Sequence, residues 1–255
     1  MFMVKMLALK LAKPEPFGYL SCLVPKCRIQ YASSLYVDTF ETGAGNHFVK
    51  PVAPILVLNG GIGRPDAVQT QDFLIHCNYN WDKVLYVPGQ YELKDNPDRA
   101  LNKLRELSLT YKNVRILCNE TYVSHPHRTV FMGAPLLTTA FDDKDRAWLR
   151  EEYLKWRHDP FKLVIATSGV PHKALLKAPI EKPGSLYPDV NAWLCGHTHG
   201  SNYMEFENGV LAAYNARGHI NGPHDMEGHR GWTRTAALTV PENRPIDGSS
   251  GPLLA

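Results

Sequence analysis

Two histidines in a short motif are the residues whose types and spacing most directly suggest chemistry. The motif Gly196-His197-Thr198-His199 sets two imidazoles two residues apart, and neutral imidazole is a common ligand of divalent metals. Because two imidazoles alone hold a metal weakly, a residual single-metal site would also need water or a third side chain. His172 and His219, in adjacent loops, are the candidates for that third ligand. The alternative is that the motif only shapes a tight loop and hydrogen-bonds its neighbours.

Two other motifs lack the residues that their chemistry requires. A dinucleotide-binding Gly-x-Gly-x-x-Gly that begins at Gly61 would need glycine at position 66, where Asp66 stands. Ser168 is not surrounded by the Gly-x-Ser-x-Gly of a serine-hydrolase turn. The sequence therefore predicts neither a dinucleotide loop nor a serine nucleophile.

The elements that must position these residues alternate between strands and helices. Short runs rich in Val, Ile and Leu are typical of strands that are buried on both faces. The runs lie at residues 28–32, 55–58, 84–87, 114–117, 129–132, 163–167, 192–195 and 210–214. Helical patterns over residues 66–77, 98–109 and 142–158 separate several of them, and this alternation predicts an α/β fold. Only turns separate the runs between residues 192 and 214, so that part is predicted to be antiparallel.

Five loops follow predicted strands and are rich in glycine, polar residues or histidine. We number them loop 1 (residues 32–36), loop 2 (59–63), loop 3 (88–92), loop 4 (167–171) and loop 5 (196–199). Sites in open α/β sheets gather in loops at the carboxyl ends of strands. The five loops together are therefore the predicted functional region.

In series, six blocks of the chain resemble the calcineurin-like metallophosphoesterases. The blocks are RIQYASSLYVD, PILVLNGGIGRPD, NWDKVLYVPGQYE, KLVIATSGVP, AWLCGHTHG and YNARGH. The resemblance covers residues 28–219 and implies a four-layer α/β/β/α sandwich with two mixed β-sheets. It also implies a two-metal centre, in which the loops supply in order Asp-x-His, Gly-Asp, Gly-Asn-His, Thr-His and Gly-His-x-His. Such ions hold a phosphate ester and generate the hydroxide that attacks it.

This chain departs from that pattern at most of the positions that the resemblance assigns. Five of the seven expected metal ligands are replaced, by Ser34, Tyr36, Gly61, Gln90 and Ser168, and only His197 and His199 remain. Tyr91 stands where the family has its catalytic histidine. Glycine cannot bridge two ions, serine and neutral tyrosine are poor ligands for hard cations, and a tyrosine with a pKa near 10 is a poor base at neutral pH.

We therefore expect no hydrolysis of phosphate esters by the family route. We also expect no cofactor beyond a single, weakly held divalent metal, with His197 and His199 as its ligands if it binds.

Composition and charge exclude several classes of protein. The chain has 255 residues, of which 44% are hydrophobic and 21% charged, so it is neither a disordered chain nor a coiled coil nor a collagen-like fibre. The formal net charge is only +3 and the basic residues are scattered, so we predict no nucleic-acid partner. No apolar run is long enough for a transmembrane helix. The five cysteines are widely spaced, so we expect them to be reduced thiols and the protein to be intracellular. Association with an organelle or with a virus stays open.

Two segments lie outside the resemblance and define the predicted domain organisation. We divide the chain into an N-terminal extension (residues 1–27), a metallophosphoesterase-like domain (28–220) and a C-terminal extension (221–255). The first segment carries Lys5, Lys10 and Lys13 among apolar residues without the features of a secretory signal. The last ends in a tail rich in Pro, Gly and Ser.

Together these observations predict a catalytically inactive, metallophosphoesterase-like protein with a structural or scaffolding role. Its protein partners would bind the two extensions within a larger assembly, such as an organellar complex or a virus particle. Two alternatives stay open. The emptied cleft, walled by Tyr36, Gln90, Tyr91 and Ser168, would bind a nucleotide or sugar phosphate without cleaving it, or the two remaining histidines would support a single-metal phosphoesterase.

Overall fold

Two mixed β-sheets and four α-helices make up the part of the chain that the computed structural model describes. That part comprises residues 24–135, 142–169, 187, 189–197, 200–205, 210–218 and 231–241. The strands are β1 (Arg28–Ala32), β2 (Ile55–Asn59), β3 (Lys83–Val87), β4 (Val114–Ile116), β5 (Glu120–Ser124), β6 (Thr129–Ala134), β7 (Lys162–Thr167), β8 (Ala192–Cys195), β9 (Ser201–Glu205), β10 (Leu211–Asn215) and β11 (Ala237–Thr239). The helices are α1 (Val68–Asn80), α2 (Gln90–Leu93), α3 (Pro97–Thr110) and α4 (Asp142–Trp156).

The first sheet has the order β11-β1-β2-β3-β4, and the strands β1 to β4 are parallel. β2 and β3 are connected by α1, and β3 and β4 by α2 and α3. This is the connection that parallel neighbours need. All five residues of β2 are buried, which fits its continuous apolar sequence. Loops 1, 2 and 3 therefore leave the sheet at the same edge.

The second sheet has the order β5-β6-β7-β8-β10-β9. β6, β7, β8 and β10 are parallel, and β5 and β9 pair antiparallel at the two edges. The predicted antiparallel arrangement between residues 192 and 214 is therefore wrong for β8 and β10. The strand between them in the chain, β9, is polar (Ser-Asn-Tyr-Met-Glu) and gave no apolar run in the sequence. It supplies the antiparallel partner of β10.

Three apolar layers separate four layers of secondary structure, as the predicted four-layer sandwich requires. Because strand side chains alternate between faces, Leu56 and Leu58 pack with Phe73 of α1 and Leu104 of α3. Ile55, Val57 and Leu85 pack instead against the second sheet, with Phe131, Val164 and Leu194. On the far face of that sheet, Ile165 and Trp193 pack against Leu149 and Tyr153 of α4. The fold class predicted from the sequence is confirmed.

A buried glutamine anchors the C-terminal part of the described chain to the first sheet. Gln30 lies in β1 with no exposed surface. Its amide nitrogen donates to the carbonyls of Lys50 and Arg234, and its oxygen accepts from Val52 N–H and the Trp81 indole. All four hydrogen bonds that the side chain can make are formed. With β11 paired to β1, the sheet extends past residue 220, the predicted end of the domain.

No helix among the described residues is both long enough and apolar enough to cross a lipid bilayer.

Residues 231–241 are predicted to contribute strongly to stability. A chain ending at residue 230 lacks β11, the buried Val240 and the Arg234 carbonyl that accepts from Gln30. We expect its free energy of unfolding to be at least about 3 kcal/mol below that of a chain ending at residue 241. Urea denaturation of the two truncated chains isolates this contribution, and equal midpoints would contradict it.

Candidate functional site

Seven of the eight predicted site residues line one cleft at the carboxyl ends of the strands. The cleft has a volume of about 230 Å³, and its walls are Ser34, Tyr36, Gly60, Gly61, Gly89, Gln90, Tyr91, Lys94, Ser168 and His197. Loops 1 to 5 thus meet at one place, as the strand order requires. His199, and the candidate third ligands His172 and His219, lie outside the described residues.

Backbone hydrogen bonds join loop 1 to loop 2 along the cleft. Ser34 N–H donates to the Gly60 carbonyl at 2.9 Å, and Tyr36 N–H donates to the Gly61 carbonyl at 2.9 Å. Val37 N–H continues the series by donating to the Ile62 carbonyl at 2.8 Å. Ser34 and Tyr36 adopt positive φ angles of 52° and 49°, which non-glycine residues seldom adopt. The two loops therefore lie against each other at backbone distance.

The Glu92 carboxylate, which does not line the cleft, joins loop 2 to loop 3. It is 5% exposed and accepts five hydrogen bonds. Their donors are the backbone N–H groups of Gly61, Ile62, Gly63 and Gly89 and the Tyr86 hydroxyl, at 3.1, 2.6, 3.4, 2.7 and 2.9 Å. Successive N–H groups that converge on one point form a cradle for an anion. Here the chain fills that cradle with its own side chain.

A second buried carboxylate, Asp38, contacts Arg64, which follows loop 2, and Tyr91, which lies in loop 3. Its Oδ2 accepts from Arg64 Nε at 2.9 Å and from the Tyr91 hydroxyl at 3.0 Å. The Asp38 side chain is fully buried, whereas the Arg64 side chain is 60% exposed. Tyr91 therefore has a fixed orientation, with its hydroxyl proton directed at Asp38.

Neither tyrosine of the cleft is suited to acid–base chemistry at neutral pH. The pKa of Tyr91 is raised, first by burial and then by the charge and hydrogen bond of Asp38. Burial also raises the pKa of Tyr36. The two rings meet edge to face with centroids 4.9 Å apart. A phenol that holds its proton this firmly is a poor proton acceptor, and proton acceptance is what a general base must supply.

The residues from loops 3, 4 and 5 also lack an activated nucleophile. Ser168 is 4% exposed, and its hydroxyl donates to the Pro135 carbonyl at 2.7 Å. A carbonyl cannot take up the proton of an attacking hydroxyl, so this contact does not activate the serine. Gln90 and His197 are exposed at the mouth of the cleft, and His197 has a φ of 60°.

The described side chains do not fit a two-metal centre. Within the described ranges, no group of three or more His, Cys, Asp or Glu residues is placed to hold a metal ion. The carboxylates near the cleft, Asp38 and Glu92, do not line it. Both already accept hydrogen bonds from the chain. At the five replaced ligand positions, hydroxyls, a primary amide and a glycine stand where carboxylate and imidazole ligands would be needed.

Solved structures with the same architecture include a phosphatase. A dimetal phosphatase from Danio rerio matches with a TM-score of 0.51 at 11% identity, over 86% of this chain and 100% of that chain. The fold is metallophosphoesterase-like. TT1561 of Thermus thermophilus matches with a TM-score of 0.51 at 13% identity, over 75% of this chain and 90% of that chain. No protein-family model and no curated protein matches the sequence.

The residues that hold the cleft loops together were not predicted from the sequence. Glu92 is the last residue of loop 3 and Asp38 the last residue of the first block, and neither was predicted to have a role. A single acid carries no sign of its partners in a sequence. One local pattern could have identified Glu92. It is the third residue of α2 and accepts a hydrogen bond from the N–H of Gly89, which precedes the helix. This is a pattern that helix starts commonly use.

Replacing Glu92 with glutamine is predicted to destabilise the protein. The amide would direct N–H donors at backbone N–H groups that now share a carboxylate, so we expect Glu92→Gln to lower the free energy of unfolding by about 3 kcal/mol. The control is Glu106→Gln, since the Glu106 side chain is 67% exposed and pairs with Lys103 at the surface. Its expected change is below about 0.5 kcal/mol. Equal losses in urea denaturation would contradict the role given to Glu92.

The Tyr91–Asp38 hydrogen bond predicts a pH-dependent stability difference. The pKa of Tyr91 is raised in the folded chain, so its contribution is complete below about pH 10, the ordinary value for tyrosine, and is lost as the pH rises further. Tyr91→Phe should therefore cost about 1 kcal/mol at pH 8, and the difference from wild type should shrink above pH 10. Tyr79→Phe, at an 82% exposed site, is the control. A difference that stays constant from pH 8 to 11 would exclude this interpretation.

Proposed function

We propose that the chain is a non-catalytic protein that uses a metallophosphoesterase-like fold as a rigid body. The observation that carries the proposal is the chemistry of the cleft. Its described walls offer hydroxyls, an amide, glycines, one lysine and one histidine, and they include neither a carboxylate ligand nor an activated nucleophile. A phosphoesterase of the two-metal type needs both the ions and the groups that hold them.

The proposed role is structural, as a subunit or scaffold in a larger intracellular assembly. What supports it is that the cleft loops are fixed by the chain itself. Backbone hydrogen bonds join loops 1 and 2, Glu92 joins loops 2 and 3, and Asp38 fastens Tyr91 and Arg64. Because these hydrogen bonds hold the loops, the domain keeps its shape without a bound ion. In this proposal the partners bind the terminal extensions.

Two measurements test the two parts of this proposal. The purified full-length chain, supplied with manganese, should hydrolyse bis(p-nitrophenyl) phosphate and p-nitrophenyl phosphate no faster than the same protein in EDTA. Manganese-dependent turnover that His197→Ala abolishes would overturn the non-catalytic part. In native extract of its source, the chain should migrate with a particle far larger than its own 28.7 kDa. Migration as a free monomer would overturn the structural part.

One observation favours a second candidate, the binding of a phosphate-bearing ligand in the cleft without metal. Among the described residues that line the cleft, Lys94 is the single fixed cation and no carboxylate opposes it. Such a lining attracts an anion, and the Gln90 amide and neighbouring hydroxyls add polar partners. The adjoining groove, by contrast, carries Asp66, Asp95, Asp98 and Glu106 on its walls.

We expect AMP in EDTA-containing buffer to bind wild type and to bind Lys94→Gln at least tenfold more weakly, measured by isothermal titration calorimetry. Lys103→Gln is the matched control, because Lys103 lines the adjoining groove and pairs with Glu106. Absence of AMP binding to wild type would exclude this candidate.

A further inference from the structure

We infer that restoring the lost ligand side chains would not recreate a two-metal centre, because the backbones of loops 1 and 2 lie too close together to accept the bridging aspartate at position 61. The inference rests on the proposed function, and it adds a physical reason why the cleft is non-catalytic. The chain lacks space at position 61 as well as the bridging ligand itself.

The position of the bridging aspartate is the most confined. At Gly61, a Cβ atom would lie 2.9 Å from the Cα atom and 3.3 Å from the backbone nitrogen of Ser34. Real Cβ atoms essentially never approach other atoms below 3.0 Å. The neighbouring atoms here belong to the backbone, so no rotamer change relieves the contact. The φ of Gly61 is +66°, in the left-handed region that side-chain-bearing residues seldom adopt.

The same closeness continues across loops 3, 4 and 5. A Cβ at Gly60 would lie 2.6 Å from Ser168 Cβ and 3.0 Å from Gly89 Cα. A Cβ at Gly196 would collide with the Asn59 carbonyl and lie 2.9 Å from the Ser168 carbonyl. Gly60 and Gly196, where the family pattern also has glycine, let the loops touch, so the glycine that departs from the pattern is Gly61.

Hydrogen bonds hold this spacing. To accept a side chain at position 61, loop 2 must move away from loop 1. That movement would break the bonds from Ser34 and Tyr36 N–H to the Gly60 and Gly61 carbonyls. It would also withdraw the loop 2 N–H groups from Glu92. Each buried group left without a partner opposes the movement.

The direct test restores the family pattern and counts bound metal. The variant carries Ser34→Asp, Tyr36→His, Gly61→Asp, Gln90→Asn, Tyr91→His and Ser168→His in the full-length chain. After incubation with manganese and desalting, we expect fewer than two manganese ions per chain by elemental analysis. Two retained ions per chain, with a raised thermal midpoint, would overturn the inference. The proposed function would still stand in that case, because it concerns wild type.

A pair of single substitutions decides the question if the restored variant does not fold. Gly61→Ala adds one carbon against the Ser34 backbone. Gly43→Ala adds the same carbon at a φ of +86° with nothing within 4 Å, so it measures the cost of positive φ alone. We expect Gly61→Ala to reduce the folding equilibrium constant at least tenfold more than Gly43→Ala does, in urea denaturation. Equal reductions would show that space is available at position 61 and would overturn the inference.

Discussion

The geometry of the cleft depends on one buried carboxylate. Glu92 collects N–H groups from loop 2 and loop 3 and the hydroxyl of Tyr86, and nothing else described would satisfy those donors together. Burying a carboxylate is costly unless charged hydrogen bonds compensate for the lost water, and here there are five. This interaction fixes the positions of Gly61 and Gly89, whose N–H groups donate to Glu92. It also fixes the position of Tyr91, which precedes Glu92 in the chain.

Two buried side-chain amides, those of Gln30 and Asn215, connect segments of the sheets through hydrogen bonds in a similar way. Gln30 ties β1 to the segment before β11 and to the end of α1. Asn215, at the end of β10 in the second sheet, donates to the Tyr31 carbonyl of the first sheet and to the Thr233 carbonyl. Polar side chains whose hydrogen-bonding groups are all satisfied specify one arrangement more strictly than apolar packing does. Gln30 therefore fixes the C-terminal segment to the first sheet, and Asn215 fixes the two sheets to each other at the end where the cleft lies.

The strands that could be predicted have a continuous apolar run in their own sequence. The strands that were missed are stabilised by partners elsewhere in the chain. Continuous apolar runs located eight strands to within two residues, because burial on both faces requires such runs. The half-buried β5, the polar β9 and the short β11 were missed, since each depends on a partner strand rather than on its own composition. Loop positions followed from strand ends, so the convergence of Ser34, Tyr36, Gly61 and Ser168 could be predicted. The closeness of those loops could not, because it arises from contacts between segments far apart in the chain.

The groups that hold the loops and the groups that would do chemistry face in different directions. Glu92 and Asp38 do not line the cleft, whereas every ligand position that is described lines it. The Glu92 carboxylate accepts from backbone N–H groups and from Tyr86, so a change of side chain at Gln90 or Ser168 leaves its hydrogen bonds in place. Position 61 differs, because a side chain there would push loop 2 away from the Ser34 backbone. Glycine at this position lets loops 1 and 2 lie at backbone distance, and the backbone hydrogen bonds between them stabilise the arrangement.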